Sequence, residues 1–294
     1  MKALYIHAHY DDYEFTAAGT FDRWRESLGG AFRGRVLVCT DGAAGHHFRT
    51  RDETALIRLE EQRRSAAIGG YEFELLQLPD GRVPRETRLR HEAGLLPALW
   101  KAIRDFEPDY LFCPPWPSDP LAGVHVDHSD VARAVREVAY LINVPHCFTP
   151  EYPGDETQPV ACKVPVIIAV YDGYMFGENS HDLAVDVEPA FERVAAMSWC
   201  HQSQIAEWLP WVGRHQMDVP RDVSAWQATL RQRFDRKGHE LGLPVGRAFE
   251  VFTVTAWGEI PTTARLIQDL PALDPEASHL DQLELKLARW RGHA

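Results

Sequence analysis

The stretch Lys2-Ala-Leu-Tyr-Ile-His7-Ala-His9-Tyr-Asp11-Asp12-Tyr-Glu14-Phe15 decides how this chain reads. It opens on an apolar run over residues 3–6, the pattern of a short buried strand. Within six residues it then delivers His9, Asp11, Asp12 and Glu14, and the following Thr16-Ala-Ala-Gly-Thr-Phe21 can open a helix. Open α/β sheets place their sites outside the carboxyl ends of their strands, where such a cluster would fall.

Outward from that stretch the same alternation repeats. A helix is expected over 16–28, ended by Gly29-Gly30, then a strand over 35–40 and the loop Asp41-Gly-Ala-Ala-Gly45-His-His47. A charged helix over 52–68 closes on Gly69-Gly70. A strand over 71–78 runs into the turn Pro79-Asp80-Gly81. A helix over 92–106 and a strand over 110–113 complete the series. Strand and helix at this spacing imply βαβ units, a mostly parallel sheet and right-handed crossovers, which bring Thr40, Leu78 and Cys113 to the same edge as His9. The predicted fold class is therefore α/β, a Rossmann-like three-layer sandwich.

Farther along, a strand is expected over 164–171, helices over 188–200 and 224–237, and a late strand over 249–255. From residue 277 onward an amphipathic helix would show Leu280, Leu283, Leu287 and Trp290 as its stripe. With no internal repeat and no low-complexity linker, the chain reads as one domain, 1–294. Its core covers about residues 1–205, with 206–294 as a C-terminal elaboration.

A formal charge of −12 argues against nonspecific binding to nucleic acid or an anionic membrane, since both need a basic footprint. The 5 cysteines are scattered, odd in number and form no Cys-x-x-Cys pair, as reduced thiols of a cytoplasmic protein would be. No stretch approaches the length of a membrane span. A soluble protein acting on a small molecule is expected, with a homo-oligomer left open.

A second cluster, His125-Val-Asp127-His128, sits where a later helix should begin. His9, Asp12 and His128 then supply two imidazoles and a carboxylate from separate strand ends, a suitable ligand set for a catalytic zinc. The same set suits iron(II). Asp11, beside a ligand but not needed as one, is the natural general base. His125 with Asp127 can stabilise an oxyanion or protonate a leaving amine, so the parts read as metal-assisted hydrolysis of an amide or ester. Blander readings stand beside these: Asp11-Asp12 as a helix cap with its first-turn acid, and His125 and His128 as surface residues at a helix start.

The opening His9-Tyr-Asp11-Asp12-Tyr-Glu14 resembles the His-Pro-Asp-Asp-x-Glu signature of the PIG-L/LmbE-like zinc deacetylases. That family includes N-acetylglucosaminyl-phosphatidylinositol deacetylases and bacterial enzymes of mycothiol and bacillithiol synthesis. Its second signature, His-x-Asp-His, is met by His125-Val-Asp127-His128. Thr40-Asp-Gly42, Arg58-Leu-Glu-Glu61 and Pro79-Asp80-Gly81 resemble its intermediate motifs, and His201-Gln-Ser-Gln204 is a weaker echo. The resemblance implies His9, Asp12 and His128 as zinc ligands, Asp11 as general base, and His125 as oxyanion stabiliser or acid with Asp127 beside it. It also implies Arg58 and Asp80 as substrate-contacting residues. The expected function is removal of an acetyl group from an N-acetylated amino sugar or its conjugate. A zinc amidase on a thiol conjugate or other N-acyl substrate is the alternative, and a non-catalytic carbohydrate-binding module the more distant one.

Two departures from the family pattern stand out. Tyr10 replaces the common proline, and Gly123 stands where some members carry a tyrosine two positions before the histidine of the second signature. His46-His47 is expected in a solvated loop, and Trp199, Trp208 and Trp211 in core packing rather than a sugar-stacking surface.

Overall fold

The computed structural model describes all residues except 158–161, 176, 214–215 and 293–294. In chain order the first half contains β1 (Lys2–His7), α1 (Asp12–Thr16), α2 (Ala18–Leu28), β2 (Arg33–Val38), α3 (Arg51–Gly69), β3 (Glu72–Leu75), α4 (Leu95–Phe106), β4 (Tyr110–Cys113) and α5 (Val126–Ala139). The second half adds β5 (Val166–Val170), β6 (Leu183–Asp186), α6 (Phe191–Trp199), α7 (Leu209–Val212), α8 (Val223–Leu241), β7 (Phe249–Val254), α9 (Thr263–Asp269) and α10 (Leu280–Trp290).

The strands form a seven-stranded sheet in the order β3-β2-β1-β4-β5-β7-β6. β3, β2, β1, β4 and β5 pair in parallel, while β7 runs antiparallel to both β5 and β6. The mostly parallel α/β sandwich expected from the alternation is the observed fold. Residues of β1 alternate between two cores: Ala3 and Tyr5 pack in one, Leu4 and Ile6 in the other. A strand covered on both faces has to read as a continuous apolar run, which residues 3–6 do.

The crossovers carry the ends of β1, β4 and β5 to one edge of the sheet, and the chain changes direction from β1 toward both β2 and β4. This is the topological switch point at which such sheets hold ligands.

Local boundaries differ from expectation where capping or breaks intervene. The helix expected over 16–28 is two: α1 ends at Thr16, and Ala17 leaves the helical region before α2 begins. The charged helix α3 starts one residue early because Thr50 and Glu53 close a capping box. It stops at Gly70 in the left-handed conformation. The strand β6 and the helices α7 and α9 had no clear sequence signal. Residues 203–208 form a π-helical segment continuous with α7. In α10, Leu283 and Leu287 are fully buried while Leu285 is 73% exposed, as the expected stripe requires.

The C-terminal third is part of the sheet, since β7 inserts between β5 and β6. It also caps α2. That helix begins after Ala17, which cannot cap it, and its first turn holds no acidic residue. Glu250 of β7 supplies the missing acceptor, taking the N–H of Gly19 and Thr20 at 2.7 Å each and the Thr20 hydroxyl at 2.6 Å. Glu250→Ala leaves two buried N–H groups without a partner and is expected to destabilise the fold by about 2–4 kcal/mol. Urea denaturation checks this; a loss under about 0.5 kcal/mol would show that the cap contributes nothing net.

Candidate active site

The two signatures meet at the strand ends. His9 lies two residues beyond β1, and His125 is the N-cap of α5, followed at once by Asp127 and His128. His9 Nδ1 stands 3.2 Å from His128 Nε2 and 3.4 Å from Asp12 Oδ2, and His128 Nε2 stands 3.4 Å from Asp12 Oδ1. Donors held by one tetrahedral ion at bonds of about 2.0–2.1 Å must sit about 3.3 Å apart, so these three fit a single divalent cation.

Each member of this trio is held from behind. His9 faces Asp127 through Nε2 at 3.1 Å, and His128 faces Asp172 through Nδ1 at 2.8 Å. With those nitrogens donating to carboxylates, the opposite nitrogens carry lone pairs into the cluster. Asp12 Oδ2 accepts from His7 Nδ1 at 2.5 Å and from the His9 backbone N–H at 2.8 Å. At 2.5 Å the His7 contact is a hydrogen bond and too short for two ligands of one ion. His7 therefore orients Asp12 instead of joining the trio.

Asp11 and Asp12 occupy the start of α1, yet neither caps it in the ordinary way. Asp11 is the N-cap residue and makes no side-chain cap bond. Its backbone sits in the left-handed region at φ 81, a conformation that costs a residue with a Cβ roughly 1–2 kcal/mol. The strain turns its carboxylate into the cavity, where Arg58 Nη2 holds Oδ1 at 3.1 Å. The same guanidinium donates to the carbonyls of Tyr10 at 2.7 Å and Gly42 at 3.3 Å, and Gln62 Oε1 accepts the Asp11 N–H at 3.2 Å. Arg58 is thus committed to the backbone and to Asp11, although it still lines the cavity.

Charge sets the protonation of the group. Burial raises the Asp11 pKa to about 6, against the pull of Arg58. Asp12 is also penalised by burial, but His7 and His128 hold it well below the ordinary carboxylate range. Burial opposes protonation of His9, yet the adjoining Asp12 and Asp127 raise it to about 9. His128 is likewise raised, by Asp12 and Asp172 against burial. The buried carboxylates thus draw protons onto His9 and His128, and a divalent cation held between the rings would offset the same negative charge.

His125 behaves differently. Burial, with His9 and His128 nearby, lowers its pKa to about 3, so it is neutral at ordinary pH. Its Nδ1 accepts the Asp127 N–H at 3.3 Å, which leaves the proton on Nε2.

The structure brings His9, Asp11, Asp12, Arg58, His125, Asp127 and His128 together but assigns two of them partners other than those expected. The Asp127 carboxylate serves His9 and accepts the Thr87 N–H at 2.8 Å, so His125 meets Asp127 only through its backbone. Asp80 stands apart from this group. It is exposed in the turn after β3, its carboxylate taken by Arg82 at 2.7 Å, and it does not line the cavity. A complete Pro-Asp-Gly turn has no side chain to spare for a site.

Glu14, counted with the opening cluster, points the other way. It is fully buried against Gln62, Ser65, Tyr71 and His201. In the His201-Gln-Ser-Gln204 echo, Ser203 binds Glu61, while Gln204 binds the Gly45 carbonyl and lines the cavity.

A cavity of about 80 Å³ opens over the cluster, and Phe15, Glu86, Tyr174, Trp208 and Arg233 contribute to its wall. Sequence reading missed Asp172, although it lies two residues beyond β5 just as His9 lies two beyond β1. It also missed Glu86, which had no motif to reveal it. Trp208 reaches the cavity wall, contrary to a purely core role, and stacks on Trp211 at 5.4 Å. His46 does not sit in solvent: its side chain packs against Glu207 at 2.8 Å.

A carboxylate behind a ligating histidine fixes the tautomer and raises the ring's basicity. Asp172→Asn is therefore expected to weaken zinc binding about 10–100-fold, read by competition against a chelator. Unchanged affinity would remove Asp172 from the metal-holding set.

Residues 4–139 match the family model PIG-L, described as GlcNAc-PI de-N-acetylase. No curated protein matches the chain in sequence. Among solved structures it is similar to the N,N'-diacetylchitobiose deacetylase from Pyrococcus horikoshii, with TM-score 0.63 and 21% identity, covering 86% of this chain and 83% of that one. It is similar also to GalB, the 4-carboxy-2-hydroxymuconate hydratase of Pseudomonas putida KT2440, with TM-score 0.56, 16% identity and coverages of 86% and 95%. A deacetylase of teicoplanin biosynthesis aligns at TM-score 0.51 and 15% identity, covering 86% and 97%. These likenesses describe the fold, and the family match rests on the segment that carries both signatures. Residues 4–139, the segment that carries both signatures, are thus similar to the PIG-L family, and the whole chain shares its fold with these solved structures.

Proposed function

We propose that this protein is a metal-dependent N-deacetylase that removes an acetyl group from an N-acetylated amino sugar or its conjugate. The observation that carries the reading is the convergence of His9 Nδ1, His128 Nε2 and Asp12 at 3.2–3.4 Å, with Asp11 lining the same cavity as His9 and Asp12. His9, Asp12 and His128 would hold the ion. Zinc is the proposed occupant, and iron(II) suits the same donors. A metal held there supplies a water acidified to a pKa of about 7 and polarises the acyl carbonyl.

The remaining steps belong to the side chains. Asp11 accepts the proton of the attacking water and returns it to the leaving amine, so the amide and one water become acetate and a free amine. Arg58 keeps that carboxylate aimed. His125, neutral and with its proton on Nε2, is a hydrogen-bond donor to the developing oxyanion rather than a proton source. A neighbouring cation would hold its pKa lower still. Tyr174, whose ring lies 5.8 Å from that of His125, also lines the cavity wall.

The fold alone does not choose the reaction, since GalB, a hydratase, shares it. A thiol conjugate or another N-acyl compound would use the same residues, and a panel of N-acyl sugars and thiol conjugates separates these substrates by acetate or acid release.

Asp11→Asn is expected to lower turnover by about 10²–10⁴-fold while bound metal is retained, because the acceptor of the proton is lost. Retained metal with undiminished turnover would remove Asp11 as the base. The base form of Asp11 is the active one, so the rate should rise with pH and level off once its carboxyl, raised to about 6, has ionised. A bound divalent cation lowers that midpoint further. An acid limb centred above about pH 7 in a rate profile would assign the base to another group.

A further inference from the structure

A second, larger cavity of about 270 Å³ adjoins the reaction cavity, and Phe15, Tyr174 and Arg233 line both. Its floor comes from α8, outside the segment that matches the family. Lys237 lines it and is only 5% exposed. Among the described residues its ammonium has no hydrogen-bond acceptor and no carboxylate at ion-pair distance. It lies 4.3 Å above the Phe234 ring and 5.6 Å from that of Tyr171.

Glu250 attracts the Lys237 ammonium from beyond ion-pair distance, and the hydrogen-bonding oxygens of the nearby carboxylates are engaged elsewhere. Glu250 accepts from Gly19 and Thr20, and Glu240 accepts from the Tyr171 hydroxyl and from Asn179. Asp218 stands exposed at the rim. Arg233, one turn before Lys237 on α8, stacks on Phe15 at 4.3 Å and has no carboxylate partner among the described residues.

A buried ammonium is costly unless it is paired, and contact with two aromatic faces offsets only part of that cost. In a chain of net charge −12, two neighbouring cations face one cavity with no carboxylate at ion-pair distance among the described residues; Glu250 acts on Lys237 and Asp11 on Arg233 only from farther off, which leaves the cavity suited to a negative guest. We propose that this cavity receives an anionic group, a carboxylate or phosphate, carried by the part of the substrate that extends beyond the acylated amine, with Lys237 as its principal partner and Arg233 at the junction of the two cavities. The link to substrate rests on the N-deacetylase reading above; the anion site itself does not. Burial lowers the Lys237 pKa to about 8, and a bound anion would raise it, keeping the ammonium charged.

Isothermal titration of the full-length, zinc-supplied protein tests the site directly, with benzoate, phenyl phosphate and neutral benzyl alcohol as probes. One anion per chain should bind saturably, and benzyl alcohol should not. Lys237→Met should weaken the anion at least tenfold, and Arg233→Gln should weaken it by a smaller factor. Whichever of benzoate and phenyl phosphate binds tighter identifies the natural anion as carboxylate or phosphate. No saturable anion binding by the unaltered protein, or binding unchanged in both variants, overturns the proposal. A Lys237 that served only packing would change the melting temperature of Lys237→Met and leave anion affinity alone.

The link to substrate is read by hydrolysis of the 4-carboxyphenyl and 4-methoxyphenyl glycosides of N-acetylglucosamine. The ratio of their kcat/KM values should favour the charged glycoside about tenfold and fall toward one in Lys237→Met. A ratio near one in the unaltered protein overturns the link. Anion binding without hydrolysis of either glycoside supports the site and counts against the N-deacetylase reading instead.

Discussion

A carboxylate buried among imidazoles is tolerable only when its charge is matched, and that constraint runs through this structure from Asp12 outward. Asp12 meets His7, His9 and His128 within 3.4 Å, and the two rings that face it across the trio are backed by Asp127 and Asp172. The backing carboxylates make the rings better ligands, but they also add buried negative charge. The arrangement is balanced either by protons on His9 and His128 or by a cation between them. Two protonated rings with nitrogens 3.2 Å apart would repel each other, and a cation would resolve the conflict with the side chains as they stand.

The fold delivers this cluster by placing independent chain segments at one sheet edge. β1 supplies His7 and leads to His9, Asp11 and Asp12. The connection after β4 leads to His125, Asp127 and His128, and the exit from β5 brings Asp172. None of these segments is near another in sequence; the parallel pairing of β1, β4 and β5 makes them neighbours. The C-terminal third does more than decorate that frame. β7 sits inside the sheet, Glu250 caps α2, and α8 lines the space beside the reaction cavity with Arg233 and Lys237. A region that both completes the sheet and shapes the approach to the site is well placed to set which substrates enter.

Much of this was legible in the sequence because the signals were local. The apolar run over residues 3–6 has the pattern of a buried strand, and the two clusters of ligand-type residues follow strand ends. What stayed hidden depended on contacts distant along the chain. His9 and Asp127 are separated by 118 positions, so the partner of the Asp127 carboxylate is invisible to a reading that pairs it with adjacent His125. That Arg58 also holds the Asp11 carboxylate, besides lining the cavity, shows only with the left-handed turn at Asp11. Asp80 sits in the turn that the signal around it called for, paired with Arg82 away from the cluster. The short strand β6 escaped because four residues at a sheet edge carry too little periodicity to stand out.

Zinc stoichiometry by elemental analysis, comparing the zinc-supplied protein with its His9→Ala variant after both have been desalted, tests the central claim most directly. The account predicts one tightly held ion per chain in the unaltered protein and its loss in the variant, because His9 supplies one of three donors and anchors Asp127. A folded protein that holds no zinc, or a His9→Ala variant that retains a full equivalent, would contradict the claim that these strand ends converge on a metal.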